Sequence, residues 1–248
     1  MGQMDFVELH FHLLPGVDDG PSSIEESLAL ARAAVLDGTR TVVMTPHVHP
    51  AHITDPDLIT PVTSALSDRL RRDRIDLSLL PGGELAHTMV GRLSQRQLER
   101  IAHGPPGRRW VLLEAPFDGL GDDFAAAADE LRDRGFGIVI AHPERSEHSP
   151  ETEASIAREL ALGSVLQLTA GAVCGALGEC ARSVAVRLLR SAAVAVIAPD
   201  AHGRDRMPML RPALQASTGY GELSPAQFAA EIPRALLERG LVARRAMS

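Results

Sequence analysis

The fold is indicated most clearly by residues 137–145, which read GIVIAHPER. The apolar run Gly137–Ala141 is followed directly by His142 and, three residues later, by Arg145. A run that is apolar throughout, rather than alternating with polar residues, is typical of a parallel strand covered on both faces. Polar residues after such a strand lie at its carboxyl end, where α/β proteins build their sites. Residues 137–145 therefore predict one buried strand with site residues at its end.

The rest of the chain repeats this arrangement, because short apolar runs alternate with amphipathic stretches. The predicted strands are Phe6–His10, Thr41–Met44, Ile75–Leu80, Trp110–Glu114, Gly137–Ala141, Val165–Leu168 and Val194–Ala198. After a first helix that begins at Ser23, the predicted helices are Val62–Arg72, Asp122–Arg134, Glu151–Leu162, Ala181–Arg190, Arg211–Gln215 and Ala226–Leu237. Seven βα units in succession favour a closed or nearly closed parallel barrel of the α/β class, and a doubly wound open sheet is the alternative.

The first helix has the clearest predicted boundaries. Ser23 is a candidate N-cap, Glu26 three residues later would complete a capping box, and Gly38 lies just beyond the last apolar position.

No low-complexity linker interrupts the chain, so we predict a single domain over residues 1–248.

Composition narrows the possible functions. The 248 residues carry a formal net charge of −7 and only 3% are aromatic, which argues against nucleic-acid binding and against binding to anionic membranes. Two cysteines, Cys174 and Cys180, are too few for a disulfide scaffold or a thiolate zinc site. Because the sequence shows neither a signal peptide nor an apolar stretch of membrane-spanning length, we expect a soluble cytoplasmic protein without stable membrane insertion.

Residues that can bind metal ions follow six of the seven predicted strands. In chain order they are His10, His12, Asp19, His47, Glu84, Glu114, His142, Asp200 and His202. Only the sixth strand, which ends QLTAG at residues 167–171, contributes none. A lone His or Asp at a strand end is often structural. In a parallel barrel, however, all carboxyl ends of strands lie on one face, so these nine side chains are expected to converge there.

Five imidazoles and four carboxylates in one pocket are costly to bury unless cations are bound between them. A donor set of nitrogen and oxygen without sulfur suits Mn, Fe or Zn. Three divalent ions with four carboxylates would leave about two positive charges, which attract an anion such as phosphate. The pattern therefore predicts a metal cluster whose remaining positive charge attracts an anion such as phosphate.

The motifs in this order resemble those of the PHP (polymerase and histidinol phosphatase) superfamily. They are His-x-His, Pro-Gly-Val-Asp-Asp-Gly, Thr-Pro-His, Gly-Gly-Glu, Leu-Leu-Glu, Ala-His-Pro-Glu-Arg and Pro-Asp-Ala-His, and they run from about Phe6 to beyond His202. Within the superfamily, the chain most resembles the bacterial manganese-dependent protein-tyrosine phosphatases of the CpsB/YwqE type, which are associated with capsule and exopolysaccharide synthesis. The resemblance implies a distorted (β/α)7 barrel, a TIM-like PHP fold, with a trinuclear site.

The resemblance also implies a role for each residue. One metal ion would be held by His10, His12, Glu84 and Asp200. Glu84 would bridge to a second ion that is completed by Glu114 and His142, and the third ion would be held by Asp19, His47 and His202. Arg145 matches an arginine that the family places against the phosphate. A second arginine is expected after the last ligand pair, where the chain offers Arg204 and Arg206, and we assign Arg206.

The resulting hypothesis is a metal-dependent phosphatase in which a metal-bound hydroxide attacks phosphotyrosine in a protein segment, such as the tail of a bacterial tyrosine kinase. A cysteine-based phosphatase is not indicated, because an arginine stands six positions after neither Cys174 nor Cys180. The alternative is a PHP phosphatase for a small phosphomonoester such as histidinol phosphate or a sugar phosphate. A non-catalytic metal-binding domain is a third reading, which the full ligand set disfavours.

Overall fold

The computed structural model of the protein describes residues 5–53, 55–191 and 193–244. The two ends of the predicted domain, residues 1–4 and 245–248, lie outside the described residues. The strands are β1 (Phe6–Phe11), β2 (Thr39–Met44), β3 (His47–Val48), β4 (Ser78–Pro81), β5 (Glu84–Ala86), β6 (Trp110–Glu114), β7 (Gly137–Ala141), β8 (Val165–Thr169) and β9 (Val194–Ala198).

These strands form seven positions of one parallel barrel. β1, β2 and β4 pair in that order, and β3, β5, β6, β7, β8 and β9 form a second parallel run. β3 continues β2 after a break at Thr45–Pro46, and β5 continues β4 after Gly82–Gly83, so the second run carries the first one onward. The ring is closed near its carboxyl end, where the His12 amide donates to the Ala201 carbonyl at 3.0 Å. The predicted distorted (β/α)7 barrel is confirmed.

Helices cover the outside of the barrel. They are α1 (Ile24–Asp37), α2 (Ile59–Arg72), α3 (Gln95–Ile101), α4 (Asp122–Asp133), α5 (Pro150–Ala161), α6 (Ala170–Cys174), α7 (Glu179–Arg190), α8 (Leu210–Ser217) and α9 (Ile232–Arg239). Short 3₁₀ turns lie at Pro56–Leu58, His87–Arg92 and Pro143–Arg145, and a π-helical turn at Gln227–Glu231 precedes α9. The helical stretch predicted near Ala226–Leu237 is present, but its first part is a π-helical turn instead of α-helix. Pro233 lacks the amide hydrogen that a regular α-helix would need there.

Two local predictions are corrected by the structure. The third strand was expected at Ile75–Leu80, but Ile75 belongs to the turn that ends α2: Arg74 has a left-handed φ of 55°, and the Ile75 amide donates to Leu70 at 2.9 Å. The capping box at α1 forms only in part. The Ser23 hydroxyl accepts from the Glu26 amide, whereas the Glu26 carboxylate accepts from the amide and hydroxyl of Ser22, which offers two donors at 2.8 Å.

Apolar residues fill the barrel and the space between strands and helices. Inside the barrel, Leu9, Leu112 and Val139 belong to one buried cluster that Trp110 and Leu236 of α9 close at the amino-terminal end. The Trp110 indole donates to the Leu236 carbonyl at 2.9 Å, and the Trp110 side chain is buried. Among the described residues, no helix is long and apolar enough to cross a membrane.

An irregularity in β1 prepares the site. Glu8 pairs with Val42 and Phe11 with Met44, so β1 contains one more residue than β2 between these two pairs. Such a bulge redirects a side chain. Leu9 packs into the barrel interior, and the next residue, His10, also faces the interior, where its ring contacts the carboxylate of Glu84. The strand thereby changes from an apolar to a polar inner face within one residue.

Candidate metal centre

All nine predicted ligand residues meet at the carboxyl end of the barrel. The described residues form four groups whose possible ligand atoms lie within 4.8 Å of one another, and together the groups contain every one of the nine. The groups are His12, Asp19, His47 and His202; His10, Glu84 and His142; His10, His12 and Asp200; and His47, Glu84 and Glu114.

The most compact arrangement is buried at the centre. The Nε2 atoms of His10 and His12 lie 3.2 Å apart, and each lies 3.2 Å from Oε2 of Glu84. Oδ1 of Asp200 lies 3.2 Å from the first of these nitrogens and 3.6 Å from the second. These four side chains are at most 1% exposed. Two atoms that bind the same first-row divalent ion at about 2.1 Å would lie about 3.4 Å apart in tetrahedral coordination, which is close to these distances.

Glu84 connects the centre to its neighbours. Its Oε1 lies 2.7 Å from Nε2 of His142, while its Oε2 lies 3.0 Å from Nδ1 of His47. The same His47 nitrogen lies 4.0 Å from Oε2 of Glu114. Glu114 is therefore grouped with His47 and Glu84, whereas the family resemblance places it with His142.

The outer group opens to solvent. Oδ1 of Asp19 lies 3.4 Å from Nε2 of His47 and 3.3 Å from Nε2 of His202. The Asp19 side chain is 55% exposed, in contrast to the buried centre. A molecule in solvent can therefore approach the cluster from this side.

Two ligand-type residues are held in unusual backbone conformations. His142 has φ 38° and Asp200 has φ 49°, both in the left-handed region that residues other than glycine rarely adopt. Each residue follows the end of a strand, β7 or β9, and the turn directs its side chain into the cluster. Strained backbone at such positions is a common property of functional sites.

Asp18 and Gln167 support the cluster, although neither was predicted from the sequence as a site residue. Asp18 Oδ2 lies 2.7 Å from Nδ1 of His12, and Gln167 Oε1 lies 2.8 Å from Nδ1 of His10. Both contacts fix the ring so that Nε2 faces the centre, which is how proteins orient metal-binding histidines. The sixth strand therefore does contribute, through an amide rather than a ligand. Its signal in the sequence was a polar residue inside an otherwise apolar run.

Burial and charge shift the ionisation of the cluster. Burial disfavours the charged form of His12, but hydrogen bonds to Asp18 and Glu84 outweigh it and raise the pKa of His12 to about 10. Burial, together with the nearby charge of Glu84, raises the pKa of Glu114 to about 8. Burial lowers the pKa of His202 to about 3. Oε2 of Glu84 and Oδ1 of Asp200 are buried without a hydrogen-bond partner among the described residues.

Arginines border the cluster on the side of Asp200. Nη1 of Arg145 lies 2.9 Å from Oδ2 of Asp200, and Nη2 of Arg206 contacts the same oxygen. Nη1 of Arg206 also lies 3.4 Å from Nε2 of His202. Arg204 is exposed and lines a neighbouring cavity instead. Of the two arginines considered from the sequence, Arg206 is the one that contacts the cluster.

Two cavities flank the cluster. The larger, of about 630 Å³, lies between the start of α1 and the loop after β9 and is lined by residues that include Leu30, Arg204 and Met207. The smaller, of about 340 Å³, is lined by residues that include His52 and Phe117, besides Asp19, His47 and Glu114 of the cluster. His52 also stacks against His47, with ring centroids 5.4 Å apart.

The chain is similar to proteins of capsular polysaccharide synthesis and to tyrosine-protein phosphatases. A family model described as "Capsular polysaccharide synthesis, CpsB/CapC" matches residues 6–238. The chain is 30% identical over 197 residues to the tyrosine-protein phosphatase YwqE of Bacillus subtilis, a match that covers 79% of this chain and 77% of YwqE. It is 27% identical over 207 residues to the putative tyrosine-protein phosphatase CapC of Staphylococcus aureus, covering 82% of this chain and 80% of CapC.

A solved structure supports the same family. A crystal structure from work on YwqE of Bacillus subtilis and CpsB of Streptococcus pneumoniae, described as unique metal-dependent tyrosine phosphatases, superposes with a TM-score of 0.82. The two chains are 27% identical, and the match covers 98% of this chain and 99% of the other. Residues 6–238, which the family model matches, include all nine residues of the cluster. The chain therefore belongs to the CpsB/CapC family of capsular polysaccharide synthesis proteins.

Proposed function

We propose that the protein is a metal-dependent phosphomonoesterase of one catalytic domain that hydrolyses phosphotyrosine in proteins. The observation that carries the proposal is the buried centre, where the Nε2 atoms of His10 and His12 lie 3.2 Å from each other and 3.2–3.6 Å from one carboxylate oxygen of Glu84 and one of Asp200. The relatives named as tyrosine phosphatases support the choice of substrate class.

The residues present fit a metal cluster. Two carboxylate oxygens, on Glu84 and Asp200, are buried without hydrogen-bond partners in the described part of the chain, and they face nitrogen atoms at the spacing that a shared cation would impose. All nine donors are nitrogen or oxygen, which suits Mn and is compatible with Fe or Zn. We assign three ions as follows: His10, His12, Glu84 and Asp200 would hold the first; Glu84, Glu114 and His142 would hold the second; Asp19, His47 and His202 would hold the third.

The chemistry that such ions supply is Lewis-acid activation of water and of phosphoryl oxygens. The protein's own contribution begins with Arg145, whose guanidinium stands beside the cluster on Asp200 and can donate to the phosphate as charge develops there. Arg206 lies on the same side and adds a second positive charge. Asp18 and Gln167 hold the two central imidazoles in place through the reaction. Tyrosine is a good leaving group, with a pKa of about 10, so proton donation to it matters less than for an alkyl ester.

The shape of the site favours a protein segment over a small enclosed substrate. The outer group is exposed at Asp19, and cavities of about 630 and 340 Å³ open on either side of it. Residues on both sides of a phosphotyrosine could therefore contact the protein. The family's description in capsule synthesis makes the tail of a bacterial tyrosine kinase a suitable partner to test.

The test is turnover by protein with measured metal content. After manganese is added, a phosphotyrosine peptide, the same peptide with phosphoserine, and histidinol phosphate are compared by phosphate release. We expect the phosphotyrosine peptide to have the highest kcat/KM, and we expect His142→Ala to abolish turnover while the circular dichroism of the barrel is retained. Preference for histidinol phosphate without peptide turnover would overturn the substrate assignment and leave the metal assignment standing. Absence of bound metal at millimolar manganese would overturn both.

A further inference from the structure

Phe117 is an aromatic side chain that projects into solvent beside the metal-binding cluster. It is 57% exposed, and it is the only aromatic among the large hydrophobic side chains that are exposed in the described part of the chain. It lies between β6 and α4 and lines the smaller cavity together with Glu114 and His47. Single exposed apolar residues are common, but this one stands at the entrance to the site.

The loop around Phe117 is fixed by the backbone. The Glu147 amide donates to the Phe117 carbonyl at 2.7 Å, and the Gly119 amide donates to the Pro116 carbonyl at 3.2 Å. The ring is also in a defined position, because it lies within 8° of parallel to His142 with centroids 6.3 Å apart. Phe117 is therefore a prearranged surface beside the cluster.

Phe117 also contacts the arginine assigned to the phosphate. The central carbon of the Arg145 guanidinium lies 4.8 Å from the ring centroid, a cation–π distance. The same guanidinium reaches Asp200 at 2.9 Å. A phosphate held by Arg145 would thus lie between the cluster and Phe117, and the group esterified to it would leave the site past the exposed part of the ring.

We propose that Phe117 binds the phenyl ring of the substrate and so selects aryl over alkyl phosphate monoesters. The proposal rests on the proposed function and deepens it. Arg145 covers one face of the ring and leaves over half of the side chain exposed. Aromatic pairs gain an interaction beyond simple burial that corresponds to about a two- to tenfold change in affinity, and an alkyl chain gains none of it. Among the described residues, the larger cavity is lined by charged side chains and Met207 but by no Phe, Tyr or Trp.

The experiment measures binding of phenylphosphonate and methylphosphonate by calorimetry to protein loaded with manganese. Phe117→Leu keeps an apolar side chain and removes the ring, whereas Phe117→Tyr keeps the ring. Met207→Leu in the larger cavity is the matched control, because Met207 is 44% exposed and lines the other side of the cluster. The readout is the ratio of the two dissociation constants, and the kcat/KM of a phosphotyrosine peptide is measured in parallel.

We expect Phe117→Leu to reduce the preference for phenylphosphonate by about two- to tenfold, while Phe117→Tyr and Met207→Leu retain the wild-type ratio. If Phe117→Leu weakens both phosphonates equally, Phe117 only positions Arg145 and the proposal is wrong. A ratio that changes in Met207→Leu and not in Phe117→Leu would place the ring in the larger cavity and also overturn it. If the wild type binds neither phosphonate, the proposed function itself fails.

Discussion

Asp18→Asn is the substitution that most directly tests whether the cluster is a metal site. Asp18 is not among the assigned ligands, and its side chain is 1% exposed. Its Oδ2 contacts Nδ1 of His12 at 2.7 Å and accepts from the His47 amide at 3.1 Å, while its Oδ1 accepts from the Gly20 amide at 3.0 Å. The carboxylate thus serves three donors, and contact with His12 holds the pKa of Asp18 at about 2 in spite of burial.

Asparagine has nearly the same shape but only one acceptor oxygen. If that oxygen faces His12 and His47, the amide nitrogen faces the Gly20 amide, so one buried donor loses its acceptor at a cost of about 1–3 kcal/mol. The negative charge beside His12 is lost as well, which makes Nε2 a weaker ligand. Loss of such a supporting group typically lowers metal affinity by about 10–100-fold, and that is the change we expect for manganese.

The assay is competition for manganese between the protein and a chelator of known affinity, with melting of the metal-free protein as a check on folding. Asp205→Asn is the control, since it removes the same charge from an exposed position in the loop after β9. We expect that control to bind manganese like the wild type. A manganese affinity of Asp18→Asn within twofold of the wild type, in folded protein, would show that the contact between Asp18 and His12 does not support a metal ion.

Three further results are expected. Gln167→Leu should also lower the affinity for manganese about 10–100-fold, because Nδ1 of His10 loses its acceptor at 2.8 Å. Gln167→Glu keeps an acceptor and should retain most of the affinity. Equal affinities of the two variants for manganese would contradict this. Burial lowers the pKa of His103 to about 4, below the unfolded value of about 6.5. The free energy of unfolding is therefore expected to fall by up to about 3 kcal/mol as the pH falls from 7 to 4. Urea unfolding of His103→Leu should show a smaller fall over this pH range. Parallel pH profiles of the wild type and the variant would refute this expectation. The double variant Cys174→Ser with Cys180→Ser should keep kcat/KM within about twofold, since neither residue lines a cavity beside the cluster; a folded but inactive variant would overturn the metal-dependent mechanism.

Much of the barrel could be predicted because buried parallel strands have a simple signature. Trp110–Glu114, Gly137–Ala141 and Val194–Ala198 have the bounds that their apolar runs predict. This signature predicts a strand wrongly where an apolar residue is buried outside a strand. Ile75 is 8% exposed yet belongs to a helix-ending turn, and only the left-handed conformation of Arg74 distinguishes the two cases.

The segment after the third strand shows a different kind of failure. It contains the 3₁₀ turn His87–Arg92 and helix α3, and neither element was predicted from the sequence. α3 has a complete capping box between Ser94 and Gln97, so a usable signal was present. The helix is only seven residues long, and a hydrophobic period is hard to detect over fewer than two turns.

Convergence of the nine polar residues follows from the topology alone, because parallel strands bring their carboxyl ends to one face. The supporting contacts do not follow from it. Nothing in the Asp-Asp pair at residues 18–19 indicates that Asp18 turns inward to His12 while Asp19 faces solvent. The bulge in β1 is equally hidden, although it is what allows Leu9 and His10 to face the same interior.

Asp200 contacts both the proposed metal ligands and the arginines proposed to bind phosphate. Metal binding and phosphate binding therefore cannot be tested separately by replacing Asp200. Its Oδ1 faces the imidazoles of His10 and His12, whereas its Oδ2 receives the guanidinium groups of Arg145 and Arg206. The arginines are thus held against the cluster before a phosphate arrives, so little reorganisation is needed when negative charge develops there. Replacing Asp200 would remove a ligand and release both arginines at once. Arg145→Ala tests phosphate binding alone, because it removes no proposed metal ligand. A slower reaction with the manganese affinity retained would therefore come from the loss of the guanidinium that contacts Oδ2 of Asp200.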